Sequence, residues 1–174
     1  MDITESKILV NSYFWIENQF VLASEYNEPI EDSFYIKGGI DLKINETWIL
    51  RKEYGDYIGE LWPYIINGLY LEVSKNNPFS TTYPSHDTRF SFIPINDCKD
   101  VLVEIYLPRQ YVSETIDCID FMNAMLNEAE SFFGHLINLL ADDESIEAYQ
   151  KQLRRITEMK KGLNNREPRK IDLC

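Results

Sequence analysis

The chain has 174 residues, of which 44% are hydrophobic and 13% aromatic, and its 17 basic and 29 acidic side chains give a net charge of −12. That length predicts one domain with a hydrophobic core, and the aromatic content excludes a wholly disordered chain. The longest charge-free apolar stretches are shorter than the ~18–20 residues of a membrane span, and the N-terminus is acidic where a secretory signal is basic. We therefore expect a soluble cytoplasmic protein that does not bind membranes.

The charge is unevenly distributed along the chain. Residues 1–150 carry 9 basic and 26 acidic side chains, a net charge of −17, whereas residues 151–174 carry 8 basic and 3 acidic ones. The acidic body is either a solvated surface that keeps the protein soluble or a docking face for a basic partner. Because acidic surfaces repel phosphate backbones, we expect no nucleic-acid binding through the main body.

The first 50 residues have the pattern of two β-hairpins. β-Branched and aromatic residues are frequent over positions 7–23, and a polar break at 17–19 predicts the turn of the first hairpin. Apolar residues then alternate with polar ones over 40–44, and residues 45–47 turn the chain into a second hairpin. This alternation places Asp41 on the solvent-facing side of its strand.

Helical spacing of apolar residues begins near residue 56. It predicts a helix over residues 56–75 with Asp56 as its N-cap. The polar stretch through residues 84–87 forms the longest predicted loop. Residues 89–107 alternate again and predict a third hairpin, in which Glu104 lies on the solvent-facing side.

Two further helices are predicted in the C-terminal part. The first begins at residue 113 and runs to about 141, and the acidic residues 142–144 begin the second, which ends at 162. The sequence thus predicts an α+β fold: an antiparallel sheet built from hairpins, with one inserted helix and two C-terminal helices packed on one face. Residues 1–162 would form a single domain, and residues 163–174 a flexible basic tail.

The sequence contains no recognisable catalytic or cofactor motif. Its three cysteines share no short spacing, and Gly38-Gly39 lacks the context of a phosphate loop, so that it indicates a turn or bulge. We therefore expect no metal, disulfide or cofactor. His86 beside Asp87 could pair a base with its orienting carboxylate, although adjacent loop residues usually point apart. An enzyme with an unmarked site near His86 remains one alternative.

The aromatic residues indicate a second possibility. Ten of the eleven tyrosines lie within residues 1–111. Either the hairpins bury these rings and leave the hydroxyls in water, or Tyr and Trp among carboxylates form a protein-binding face. In the second case the predicted contact residues lie in loops and on solvent-facing strand sides, and they are Asp41, Tyr83, His86, Asp87 and Glu104.

One family shares this layout. The segment 39–46, the helix bearing Leu61-Trp62, the loop that leads from Tyr83 to Phe90 and the acidic body resemble small bacterial immunity-type proteins, over roughly residues 35–140. The resemblance implies a non-enzymatic protein-binding domain that occludes a basic partner such as a toxin. The other alternative is a structural adaptor or homo-oligomeric subunit, for instance a homodimer, that pairs through an apolar helix face.

Overall fold

The structure is a computed structural model that describes residues 7–164. Its strands form antiparallel hairpins, one α-helix is inserted between them, and two helices follow, which confirms the predicted α+β fold. The strands are divided between two sheets rather than gathered in one. In chain order the elements are β1 (Ile8–Ile16), β2 (Gln19–Leu22), β3 (Lys37–Ile44), β4 (Thr47–Leu50), β5 (Asp56–Tyr57), α1 (Ile58–Leu71), β6 (Phe79–Thr82), β7 (Arg89–Ile95), β8 (Asp100–Leu107), β9 (Gln110–Asp117), α2 (Cys118–Leu139) and α3 (Asp143–Asn164).

The first sheet has the strand order β2-β1-β3-β4, and β5 pairs with the start of β3. The turn between β1 and β2 lies where the polar break predicts it. Ile16 pairs with Gln19, so the turn has two residues, Glu17 and Asn18, and both have positive φ angles, 47° and 64°. Such turns match the right-handed twist of a hairpin.

The two glycines of β3 allow close backbone contacts inside the first sheet. A Cβ atom at Gly38 would lie 2.0 Å from the carbonyl oxygen of Tyr13, and one at Gly39 would lie 2.4 Å from that of Lys52. Both distances are shorter than a non-bonded contact. The turn or bulge expected at these glycines is therefore wrong: the pair lies within β3, in continuous register with β1, where other backbone segments approach too closely for a side chain.

The second sheet has the order β6-β7-β8-β9. Its last strand occupies residues that the sequence assigned to the start of a helix. All eight residues of β9 pair with β8, and α2 begins only at Cys118. Asp117 is its N-cap, because its carboxylate accepts the backbone N–H groups of Ile119 and Asp120.

Helix α1 begins two residues later than predicted and contains a proline. Asp56 does not cap it, because its carboxylate accepts the backbone N–H groups of Tyr57 (2.7 Å) and Ser85 (2.9 Å). Pro63 has no N–H to offer the carbonyl of Gly59 four residues earlier. The hydroxyl of Tyr149 on α3 donates to that carbonyl instead, at 3.3 Å. This bond compensates for the proline and joins the two helices.

Aromatic rings join the helices to both sheets in one apolar core. Phe132 of α2 contacts Phe14 of β1 and Trp62 of α1, with centroid distances of 5.8 and 6.3 Å. Phe121 of α2 contacts Phe92 of β7 at 5.0 Å. All five rings are buried. The long helix α2 therefore covers both sheets.

Helix α3 continues to Asn164, two residues beyond the predicted end of the domain, and Leu163 packs against the core. The rest of the predicted tail, residues 165–174, lies outside the described residues. That residues 1–162 form one domain stays a prediction. None of the described helices is long and apolar enough to cross a membrane.

Candidate functional site

Three of the predicted contact residues lie together beneath the short turn Lys52–Tyr54. The backbone N–H of Lys52 donates to Asp41 at 2.8 Å, and Nε2 of His86 lies 2.8 Å from the carbonyl oxygen of Tyr54. Tyr83 stacks on the His86 ring, with the ring centroids 4.6 Å apart. The cluster joins the first sheet to the loop that precedes β7.

Two members of this cluster are not available to a partner. We expected Asp41 and Tyr83 at the surface, but only 6% and 3% of their areas are exposed. The turn Lys52–Tyr54 packs over the face of β3 on which Asp41 lies, and this contact between distant segments overrides the strand alternation. Burial is also the main cause that raises the pKa of the Tyr83 hydroxyl, with smaller effects from Tyr54 and Asp56. The exposed positions predicted for Asp41 and Tyr83 are wrong.

His86 holds the loop in place through its Nε2 atom. A backbone carbonyl can only accept a hydrogen bond, so Nε2 carries a proton and donates it to Tyr54. That nitrogen therefore cannot accept a proton from a substrate. The carboxylate oxygen Oδ2 of Asp56 lies 3.8 Å from Nε2, so the acid paired with His86 is Asp56 rather than the adjacent Asp87. Asp87 is exposed, and His86 is partly exposed. Their contact with a partner stays a prediction.

Glu104 is the fifth predicted contact residue, and it lies apart from the others in the second sheet. It is buried, because two tyrosines cover it. The hydroxyl of Tyr111 donates to Oε1 of Glu104 at 2.6 Å, and that of Tyr106 donates to Oε2 at 3.3 Å. The expectation that Glu104 faces solvent is therefore wrong, since strand alternation does not account for large neighbours on the same face.

Among residues 7–164, the most exposed large hydrophobic side chains lie elsewhere, in the segment that leads into β3. Phe34 is 68% exposed and Tyr35 is 63% exposed. Glu31 and Asp32, which a single buried residue, Ser33, separates from the aromatic pair, are exposed as well. We call these four residues the Phe34 surface. The sequence contains a signal for this surface, namely two acids and an aromatic pair that are separated by one serine and follow Pro29.

Hydrogen bonds from the helices hold the segment 26–36 at several points. Nε2 of His135 on α2 donates to the carbonyl of Tyr26 at 2.6 Å, and the N–H of Ile30 donates to the carbonyl of Leu139 at 2.9 Å. The hydroxyl of Ser33 donates to Asp142, the residue before α3, at 3.3 Å. A segment held in this way loses little conformational freedom when it binds a partner.

The aromatic pair is also ordered by contacts of its own. The carboxylate of Asp32 accepts the backbone N–H groups of Phe34 (3.1 Å) and Tyr35 (3.3 Å), and these two bonds fix the turn formed by residues 32–35. The Tyr35 ring meets that of Tyr57 edge to face, at a centroid distance of 5.5 Å. Asp32 therefore has two roles: it supplies negative charge and it orients the neighbouring rings.

Two depressions border the Phe34 surface, and a third, a larger cleft, is lined by Tyr57, whose ring contacts Tyr35. A cleft of about 450 Å³ has walls formed by Trp15, Phe20 and Tyr57. A second depression, of about 270 Å³, lies between Trp15 and Tyr35. A groove of about 250 Å³ lies on the other side, beside Phe34. An exposed aromatic pair between concave regions is a shape that suits interlocking with another protein.

Within residues 7–164 no group of three or more His, Cys, Asp or Glu side chains is placed to hold a metal ion. No protein-family model matches the chain, and no curated protein or solved structure is significantly similar to it. The Phe34 surface is therefore the candidate site on the strength of its own geometry.

Proposed function

We propose that this protein is a non-enzymatic acidic protein-binding domain of immunity or inhibitor type, which occludes a basic partner such as a toxin. The observation that carries the proposal is the Phe34 surface, where two strongly exposed aromatic rings lie on a held segment beside two exposed acids. We further propose that the protein acts in the cytoplasm, a reducing compartment that suits its odd number of cysteines.

The aromatic rings would supply most of the affinity. Phe and Tyr side chains each bury about 150–250 Å² when they enter a partner's pocket, and such anchors dominate the energetics of interfaces. Because the segment is already held by α2 and α3, little of this free energy is lost in ordering it. Truncating Phe34 should therefore act mainly on the rate of dissociation.

The charge would determine which partners approach. A body of −17 over residues 1–150 attracts a basic protein over long distances and repels acidic ones. This attraction acts mainly on the association rate and weakens as salt shortens the Debye length, from about 14 Å at ~0.05 M to about 4 Å at ~0.5 M. A strong effect of salt on association is thus expected.

Capture from an extract of the native host would test the proposal. The full chain is immobilised beside the Phe34→Ala/Tyr35→Ala variant and a Tyr111→Ala control, since Tyr111 is 52% exposed on the other sheet. We expect a basic protein to be retained by the wild type and the control and lost by the double variant. The purified chain should then abolish the toxicity or activity of that protein.

Two outcomes would overturn the proposal. A partner that is acidic, or that binds the double variant as well as the wild type, would remove the role of the Phe34 surface. Self-association of the purified chain that the double variant abolishes would instead assign this surface to a homodimer and favour the subunit alternative. Sedimentation equilibrium of both proteins distinguishes a dimer from a monomer directly.

A further inference from the structure

The groove beside Phe34 runs between α1 and α3 and has the chemistry of a pocket for one side chain. Phe34 and Tyr64 lie at its sides, Glu60 lines it, and Tyr149 and Gln152 come from α3. Its volume of about 250 Å³ is below the ~300–1,000 Å³ typical of small-molecule sites, which favours a single residue of a partner as occupant.

Gln152 lacks a hydrogen bond that a buried amide needs. Only 7% of the residue is exposed, and its Oε1 atom is shielded from water and has no hydrogen-bond partner among the described residues. Buried amide oxygens without a donor are rare, because the lost hydration is not replaced. An occupant of the groove that carries N–H groups would supply the missing donor once the Gln152 side chain, which lines the groove, turns its oxygen toward it.

Glu60 gives the groove a negative charge. It is exposed on the first turn of α1, and no hydrogen bond or ion pair within residues 7–164 engages its carboxylate. Burial is the main cause that raises the pKa of Tyr149 in the groove wall to about 12, and the charge of Glu60 raises it further. The charge of Glu60 therefore acts on the groove. The residues that line the groove include no Lys, Arg or His. The occupant should therefore be cationic.

We propose that this groove binds an arginine side chain of the basic partner, an inference that rests on the proposed function and extends the Phe34 surface. A guanidinium carries five N–H donors in a planar fork, so that it can bind the Glu60 carboxylate and still offer an N–H to the Gln152 oxygen when that side chain turns toward the groove. Its flat face can also stack on an aromatic ring such as Tyr64 or Phe34. The compact ammonium of lysine cannot stack in this way.

A small probe tests the groove without knowledge of the partner. The full ¹⁵N-labelled chain is titrated with N-acetyl-arginine methylamide and, as the matched neutral probe, with N-acetyl-citrulline methylamide. We expect saturable shifts of the amide signals of Gly59 and Ala148 with a Kd on the order of 1 mM for arginine. The citrulline probe should bind at least about fivefold more weakly, since it lacks the charge.

Variants then assign the binding to the two polar groups. Glu60→Gln and Gln152→Leu should each weaken arginine binding about fivefold or more, whereas Glu147→Gln, an exposed acid on α3 outside the groove, should not. If Gln152→Leu fails to fold, the exposed Glu60→Gln variant decides alone. Equal binding of both probes, shifts that do not saturate, or no effect of Glu60→Gln would overturn the inference.

The binding experiments distinguish an error in the arginine groove from an error in the proposed function. If an identified partner loses affinity for Phe34→Ala but binds Glu60→Gln normally, the arginine groove is wrong and the Phe34 surface stands. If the arginine probe binds as expected but the partner proves acidic, the groove stands and the proposed function fails.

Discussion

The hydroxyl of Ser33 donates to Oδ2 of Asp142 at 3.3 Å, across 109 residues of sequence, and so ties the segment that carries Phe34 to the start of α3. The same carboxylate accepts the backbone N–H of Ser145 at 2.9 Å. Asp142 therefore caps a helix and positions the candidate binding segment with one side chain. The geometry of the Phe34 surface depends on this shared acceptor.

Removing the Asp142 carboxylate should lower the free energy of unfolding by an amount that depends on pH. Hydrogen bonds from Ser145, Ser33 and a backbone N–H lower the pKa of Asp142 in the folded protein. The unfolded chain therefore binds more protons near the usual carboxyl pKa of ~3.9, and the stabilisation is present above that pH and lost as pH falls through the lower folded pKa. Asp142→Ala should thus destabilise most near neutral pH, with a difference from wild type that shrinks in acid. Denaturant titrations between about pH 3 and pH 7 would show this. A constant difference would contradict the shifted pKa.

Glu128 should affect stability in the opposite direction to Asp142, because its contribution becomes less favourable as pH rises. Burial raises its pKa in the folded protein, and hydrogen bonds from Ser12 only partly oppose this. The folded state then binds more protons than the unfolded one above pH ~4.3, so that stability falls as pH rises through this window. The gain in stability from Glu128→Gln should therefore grow from about pH 4 to pH 7. Exposed Glu147→Gln is the control, and an equal trend in both variants would refute the effect of burial at Glu128.

Gly39 should not tolerate any side chain. Its added Cβ would lie 2.4 Å from the carbonyl oxygen and 2.6 Å from the Cα of Lys52, both of them backbone atoms. Gly39→Ala should lower the free energy of unfolding by about 2–3 kcal/mol or more. Gly134→Ala is the matched control, because no atom lies within 4 Å of its Cβ position in α2, and it should raise stability by about 0.5–1 kcal/mol. Chemical denaturation measures the free energy of unfolding of both variants. Similar changes in the two variants would show that the close contact at Gly39 does not exist.

The hydroxyl of Tyr83 should contribute nothing to stability. It is buried without a hydrogen-bond partner among the described residues, so Tyr83→Phe should leave the free energy of unfolding unchanged or raise it by up to about 1 kcal/mol. Tyr111→Phe makes the same chemical change where the hydroxyl donates to Glu104 at 2.6 Å, and it should lower stability. Thermal melts of the pair compare them directly, and a larger loss for Tyr83→Phe would mean that its hydroxyl has a partner.

Local sequence patterns predict correctly those elements whose structure is decided by residues nearby in the sequence. The period of two over residues 40–44 and the polar break at 17–19 correspond to β3 and to the first hairpin turn. Residues 113–117 were misassigned because Ser113-Glu114 also suits the start of a helix. Their pairing with β8 across the sheet decides otherwise, and spacing within the segment does not contain that information.

The candidate site was less predictable than the fold, for a related reason. Alternation placed Asp41 and Glu104 in solvent, yet a turn from residue 52 onward covers the first and two tyrosines cover the second. The exposure of Phe34 depends on hydrogen bonds to residues more than 100 positions away, such as Asp142. A sequence shows which side chains can bind, but which of them remain uncovered is a property of the tertiary packing.

If Phe34 anchors a basic partner while the surrounding acids attract it, the rates of association and dissociation separate these two roles. Surface plasmon resonance with the identified partner would compare Phe34→Ala with the Tyr111→Ala control, and Glu31→Lys with Asp97→Lys, an exposed acid in the turn of the second sheet. We expect Phe34→Ala to speed dissociation about tenfold or more and Glu31→Lys to slow association several-fold, with small effects of both controls. If Phe34→Ala leaves dissociation unchanged while Tyr111→Ala speeds it, the binding surface lies on the second sheet and Phe34 is not the anchor.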